Sequence, residues 1–210
     1  MFRSTAVRQL ILLGPSLILA VLMIFHPSPY DDVADELLPI AGWWTFLHTA
    51  QFFLFAFMGA SVWMLVDGLR GALIARVAAV VFVLFYDIGD AVAGIATGIL
   101  AGKAAGGALP DDVAVPAIRA IFTDLTKDVF FGAGILAWIA ALGASAISLW
   151  RAGAPRPPVV LLAVPAFLLT FDHAFPFGVL TFASFFLVVL WLDLSQRRGS
   201  GRARISESSL

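Results

Sequence analysis

Cysteine is absent from the 210 residues, charged residues make up only 13 % of them, and there are just three histidines and two tyrosines. Without cysteine there is neither a disulfide nor a thiolate metal site, and the redox state of the compartment leaves no trace in the sequence. So few charges cannot coat the surface of a soluble domain of this length. Tight catalytic motifs are also missing: there is no His-Glu-x-x-His, no Gly-x-Ser-Gly and no Pro-Ser-Gly-His. No nucleic-acid signature is present either, and the basic C-terminal tail is accounted for by membrane topology and anionic lipid.

What fills the chain instead is hydrocarbon, with 61 % apolar residues and a mean hydropathy of +0.97. A bilayer core of ~30 Å takes about 20 apolar residues in a helix. Runs of that kind cover residues 6–25, 41–66, 72–100, 129–150 (extending outward to 112), 158–174 and 177–194. The breaks have chemistry of their own. His26-Pro-Ser-Pro ends the first run, Gly68-Leu-Arg-Gly71 reads as a hairpin, and Ala152-Gly-Ala-Pro-Arg-Pro-Pro158 as a stiff connector. The first run is too long for a signal-peptide core and lacks a small-x-small cleavage site, so it reads as a retained helix. The expected fold is all-α, a polytopic membrane protein with a six-transmembrane-helix bundle over residues 1–195 and a disordered tail over 196–210.

Charge orients that bundle. If the spans alternate, Arg3, Arg8, Arg70, Arg76, Arg151, Arg156, Arg197, Arg198, Arg202 and Arg204 fall on one side, ten of the 13 basic residues. By the positive-inside rule that side is cytoplasmic, which predicts both termini inside a cell (inner or plasma) membrane. Asp31, Asp32, Asp35, Glu36, Asp111 and Asp112 then face outward, with Lys103 a minor exception among those loops.

At ~1.5 Å per residue, His173 lies roughly 21 Å above the cytoplasmic end of its run. His48 follows the Trp43-Trp44 pair in a run that enters from outside, and His26 closes the first run at the outer surface. All three histidines are thus expected at one level. Asp87 and Asp90 share a helix face with Gly94 and Thr97, Gln51 shares a face with His48, and Asp172 adjoins His173. An ionisable group in lipid costs roughly 2.5–3.5 kcal/mol on insertion scales, so several at one depth are expected to face inward and share partners. Neutral imidazole is the commonest metal ligand, and three histidines with a carboxylate suit a divalent ion, zinc first. The expected ligands are His26, His48, His173 and Asp87 or Asp90. Asp90 or Asp172 would handle protons, and Gln51 and Thr97 would contact substrate. Asp124, Lys127 and Asp128 read as a solvated, self-paired surface.

Asp67-Gly-Leu-Arg-Gly-Ala-Leu-Ile-Ala-Arg76 followed by Asp87-Ile-Gly-Asp90 is vaguely similar to the signature of CDP-alcohol phosphotransferases, but its spacing and depth fail that pattern. In general plan, helices bringing three histidines and an aspartate to one depth resemble the alkaline ceramidase and adiponectin receptor superfamily of membrane zinc hydrolases, which have seven helices and other ligand spacings. Six helices with an outward pocket also resemble the substrate-capture subunits of energy-coupling-factor vitamin transporters. The leading expectation is a metal-dependent membrane enzyme, hydrolytic, acting on a lipid or amphiphile. The alternative is a transporter or substrate-capture subunit that binds a small solute, proton or cation in the same pocket. A third reading is a structural membrane protein whose polar cluster only holds helices together. No polar layer is expected in the inner half of the bundle, which counts against transport.

Overall fold

A computed structural model describes residues 5–28 and 32–207. Arg3, Asp31 and the last residues of the tail, 208–210, lie outside the described residues. Every regular element described is helical, as hydrocarbon requires of a chain that must satisfy its backbone groups internally. Five helical stretches are long and apolar enough to cross a membrane: Ala6–Ile24, Val33–Leu65, Ala72–Ala105, Leu125–Arg151 and Phe177–Ser195. This is the make-up of a multi-pass membrane protein.

Helix α1 is Thr5–Ile24. A short α2, Val33–Leu37, starts where the Asp32 side chain accepts from the Ala34 N–H, and passes through one 3-10 turn into α3, Ala41–Leu65. The predicted hairpin at 68–71 is present, and both of its glycines are left-handed, with φ 74° and 79°. A residue bearing Cβ is disfavoured there. Helix α4, Ala72–Asp90, widens into a π-helical turn, Ala91–Ala96, and continues as α5, Thr97–Ala105.

The fourth run is not one helix. Asp124 is extended and divides it into α6, Asp111–Thr123, and α7, Leu125–Arg151, while its carboxylate caps α7 by accepting from Thr126 N–H. Helix α6 packs on α2 and α5, around Ala34, Leu37, Trp44, Ala101 and Ile118. Arg119 on α6 ion-pairs with Asp32 ahead of α2, which holds that carboxyl below the usual range. The fifth run, expected to span over 158–174, consists of two short helices, α8 (Arg156–Leu161) and α9 (Ala163–Leu168). The last helix, α10, is Phe177–Glu207, so the backbone stays helical through 196–207, where a structureless tail was expected.

The helices close into a ring: α1 packs on α3, α3 on α4, α4 on α7, α7 on α8 and α9, those two on α10, and α10 back on α1. Inside lie Phe55, Phe82, Tyr86, Trp138, Phe182 and Phe185, all essentially inaccessible. The Trp138 indole donates to the Pro165 carbonyl at 2.9 Å, which fixes α9 to α7. A buried charge cluster also corrects the expectation of an apolar inner half. Asp193, whose side chain is 2 % exposed, pairs with Arg8 at 2.7 Å and with Arg197 at 2.8 Å. Arginine reaches inward from the first turns of α1 to meet it, a pairing between residues 185 apart in sequence.

The α4–α7 contact is the most extensive in the bundle, and Gly134 lets α7 approach the Tyr86 backbone closely. A Cβ there would lie 2.9 Å from Tyr86 N, whereas one at Gly132 would meet nothing. Gly134→Val should therefore destabilise the protein by about 1–3 kcal/mol, the usual cost of overpacking. Gly132→Val should leave the detergent melting curve close to wild type, and equal effects from the two would refute the close approach.

Candidate metal centre

The three histidines come from three parts of the ring and meet. One ring nitrogen from each of His26, His48 and His173 lies within 4.8 Å of the others. Ring centroids are 5.2 Å apart for His26 and His48, and 4.9 Å for His26 and His173.

Each ring has its own support. His26 follows the last turn of α1, where the Trp43 indole clamps the chain by donating to the Phe25 carbonyl. Its Nδ1 donates to the Pro27 carbonyl at 2.6 Å. Burial pulls this imidazole below its ordinary pKa, opposed by the Pro27 carbonyl and Asp172. On α3, His48 Nδ1 donates to the Trp44 carbonyl at 2.9 Å, and the Trp44 ring lies 4.2 Å from the imidazole. The Trp44 indole in turn donates to Thr97 Oγ1 at 3.3 Å. His173 sits in the loop between α9 and α10, stacked on Phe131, with Nδ1 3.6 Å from the Asp172 carboxylate.

These bonds assign the tautomers. A carbonyl oxygen only accepts, so neutral His26 and His48 carry their hydrogen on Nδ1 and keep the lone pair on Nε2. Nε2 of His26 and of His173 is buried without a hydrogen-bond partner. Asp90 completes the group. Its Oδ1 lies 3.8 Å from His48 Nε2 and 3.9 Å from His173 Nε2. The residue is 1 % exposed, and neither carboxylate oxygen has a hydrogen-bond partner. Buried polar atoms without partners are costly, and one nitrogen from each of the three rings together with Asp90 forms a donor set that could hold a cation. In a tetrahedral zinc site donors ~2.0–2.1 Å from the ion stand ~3.3 Å apart, so nitrogens spread over 4.8 Å would close by up to about 1.5 Å.

The cluster borders a cavity of about 220 Å³ whose lining also includes Trp44, Phe122, Lys127, Phe131 and Asp172. Of the expected site residues, the structure brings His26, His48, His173, Asp90 and Asp172 to this cavity. Asp87 is buried one turn inward, outside the lining, with Oδ1 unpartnered. Gln51 is fully buried and donates to Met23 Sδ at 3.3 Å, its Oε1 unpartnered. Thr97 does not line the cavity. Its hydroxyl donates to the Ala93 carbonyl at 2.5 Å and receives the Trp44 indole, so it positions Trp44, whose carbonyl orients His48. Lys127 does pair with its neighbour Asp128, at 2.6 Å, but it also lines the cavity, which the charge pattern alone did not reveal.

The seat of His48 depends on a residue that carries no chemistry. A Cβ on Gly94, in the π-helical turn, would collide with the His48 ring, whereas one on Gly42 would meet nothing. Gly94→Ala is expected to weaken zinc binding about 10–100-fold, the range for disturbing a ligand's support. Gly42→Ala should leave it unchanged. Chelator competition on protein of verified helicity measures both, and unaltered affinity in Gly94→Ala would disprove the packing argument. No family model matches the chain, and neither does any curated protein or solved structure.

Proposed function

We propose that this chain is a membrane metalloenzyme that holds a divalent ion, zinc by the donor set, on His26, His48 and His173, with Asp90 beside it. The observation that carries this reading is the convergence of one ring nitrogen from each histidine within 4.8 Å, with His48 Nε2 and His173 Nε2 3.8 and 3.9 Å from the buried Asp90 carboxylate. Three imidazoles leave a fourth position for water or substrate, the arrangement of catalytic rather than structural zinc.

The reaction class that fits is hydrolysis. An ion in this position would supply Lewis acidity to a carbonyl or phosphoryl oxygen and lower the pKa of water. Asp90 takes a proton from the attacking water. As the new bond to the substrate's acyl carbon or phosphorus forms and the bond to the leaving oxygen or nitrogen breaks, Asp90 returns that proton to the leaving group. A lipid or amphiphile suits the position of the cavity near the rim, where the exposed rings of Phe171 and Phe175 flank Asp172 and His173.

In this proposal α8 and α9 act as a short sixth crossing, the arginine-bearing ends of α1, α7, α8 and α10 are cytoplasmic, and the cavity opens on the outer face of the cell membrane. Elemental analysis should find one zinc per chain. His48→Ala and His173→Ala should each lose it, and Asp90→Asn should retain most zinc while hydrolysis of ester or amide amphiphiles falls at least 100-fold. Metal-free protein whose zinc affinity is indifferent to His48→Ala would end this reading.

One observation favours ion passage as a second reading. Gln51 Oε1, Asp87 Oδ1 and Thr181 Oγ1 are buried without hydrogen-bond partners, and each lies deeper along its helix than the site residues. Zinc or proton flux in proteoliposomes, abolished by Asp87→Asn, is the expected outcome of that reading, and absence of flux would exclude it.

A further inference from the structure

A second feature lies at the other end of α7. That helix has 27 residues, ~40 Å of rise, between the outer cavity near Lys127 and Arg151 at its last turn. Beside its final turns, α8 and α9 leave an apolar groove of about 350 Å³, lined by Gly143, Ile147, Trp150, Val160, Ala163 and Phe167. Arg151 closes its end, and the Arg156 guanidinium lies 5.2 Å from the centre of the Trp150 ring. Among the described residues neither arginine has a carboxylate partner, in contrast to Arg8, Arg76, Arg119 and Arg197.

An apolar channel that runs along the hydrocarbon and ends at an interfacial tryptophan with two unneutralised guanidiniums has the charge and polarity profile of one molecule of anionic phospholipid. We infer that this groove is a binding site for such a lipid, with an acyl chain against Gly143 and Ala163 and the phosphate between Arg151 and Arg156. Guanidinium suits the phosphate because its fork donates two hydrogen bonds at once, and basic pockets between helices on the cytoplasmic side recognise anionic headgroups. The groove lies on the opposite face from the histidines and does not depend on their role.

The test is native mass spectrometry of delipidated full-length protein titrated with phosphatidylglycerol or phosphatidylcholine. Wild type should retain one phosphatidylglycerol about 10-fold more tightly than phosphatidylcholine. Arg151→Gln combined with Arg156→Gln should erase that preference. Gly143→Phe should block both lipids, because a side chain there meets no protein atom and enters the groove. Both variants should keep wild-type zinc content and helicity. Equal retention of the two lipids by wild type would overturn the assignment, as would unchanged retention by both variants. Displacement by inorganic phosphate as effective as by phosphatidylglycerol would show a free anion site instead, and a wild-type dimer dissociated by Gly143→Phe would assign the groove to a second copy.

Discussion

The interaction on which the site depends is the hydrogen bond from an imidazole Nδ1 to a backbone carbonyl. In water such a bond contributes little and the ring can turn. Inside a bundle the ring has one donor when neutral, and committing it to the Pro27 or Trp44 carbonyl leaves its only acceptor aimed away from the backbone. His26 and His48 are held in this way, and a ring nitrogen of His173 lies within 4.8 Å of theirs. That arrangement gives the three histidines the layout of a set that could hold an ion. Asp90, with both carboxylate oxygens buried and unpartnered, adds negative charge at the same point.

The architecture serves that convergence through supports that are not themselves ligands. Trp44 provides the carbonyl for His48, sets its own ring 4.2 Å from the imidazole at a tilt of 41° and is held by Thr97. Gly94 leaves the space the imidazole occupies, and the π-helical turn around it sets the local register of α4 against α3. Such turns are often found at functional sites, since an added residue per turn re-aims side chains at the cost of weaker hydrogen bonding. Gly178 plays a related part for His173, because a Cβ there would collide with the His173 carbonyl.

Much of this was legible in the sequence because helical rise converts residue number into depth. Counting from Trp44 to His48 placed that imidazole near the outer end of α3, and the 3.6-residue period put Asp90 on the face of Gly94; the count from Val159 to His173 assumes a continuous helix, whereas the helix ends at Leu168 and a loop carries His173 to the cluster. The choice between Asp87 and Asp90 was not legible, because one turn of depth separates them and a π-helical turn, which hydropathy does not signal, follows directly. The single extended residue at Asp124 was equally silent, since an aspartate serves a helix cap or a helix surface with the same composition. Lys127 was read as solvated from its acidic neighbours, although the lining of a cavity is a property of the fold. The Arg8–Asp193 pair escaped because it joins the first helix to the last.

The shortness of the α8–α9 segment shapes the loop that carries His173. Arg156–Leu168 rises only ~20 Å against a hydrocarbon core of ~30 Å, so the chain leaves helical geometry before it reaches the far rim. A full-length helix would carry residues 172 and 173 along its axis, with side chains directed by helical period alone. Ending early, at Leu168, lets the chain turn, so that Asp172 accepts from the Ala174 N–H and the His173 ring swings onto Phe131 beside Asp90. The early end of α9 thus accounts for a polar loop drawn into the bundle beside Asp90.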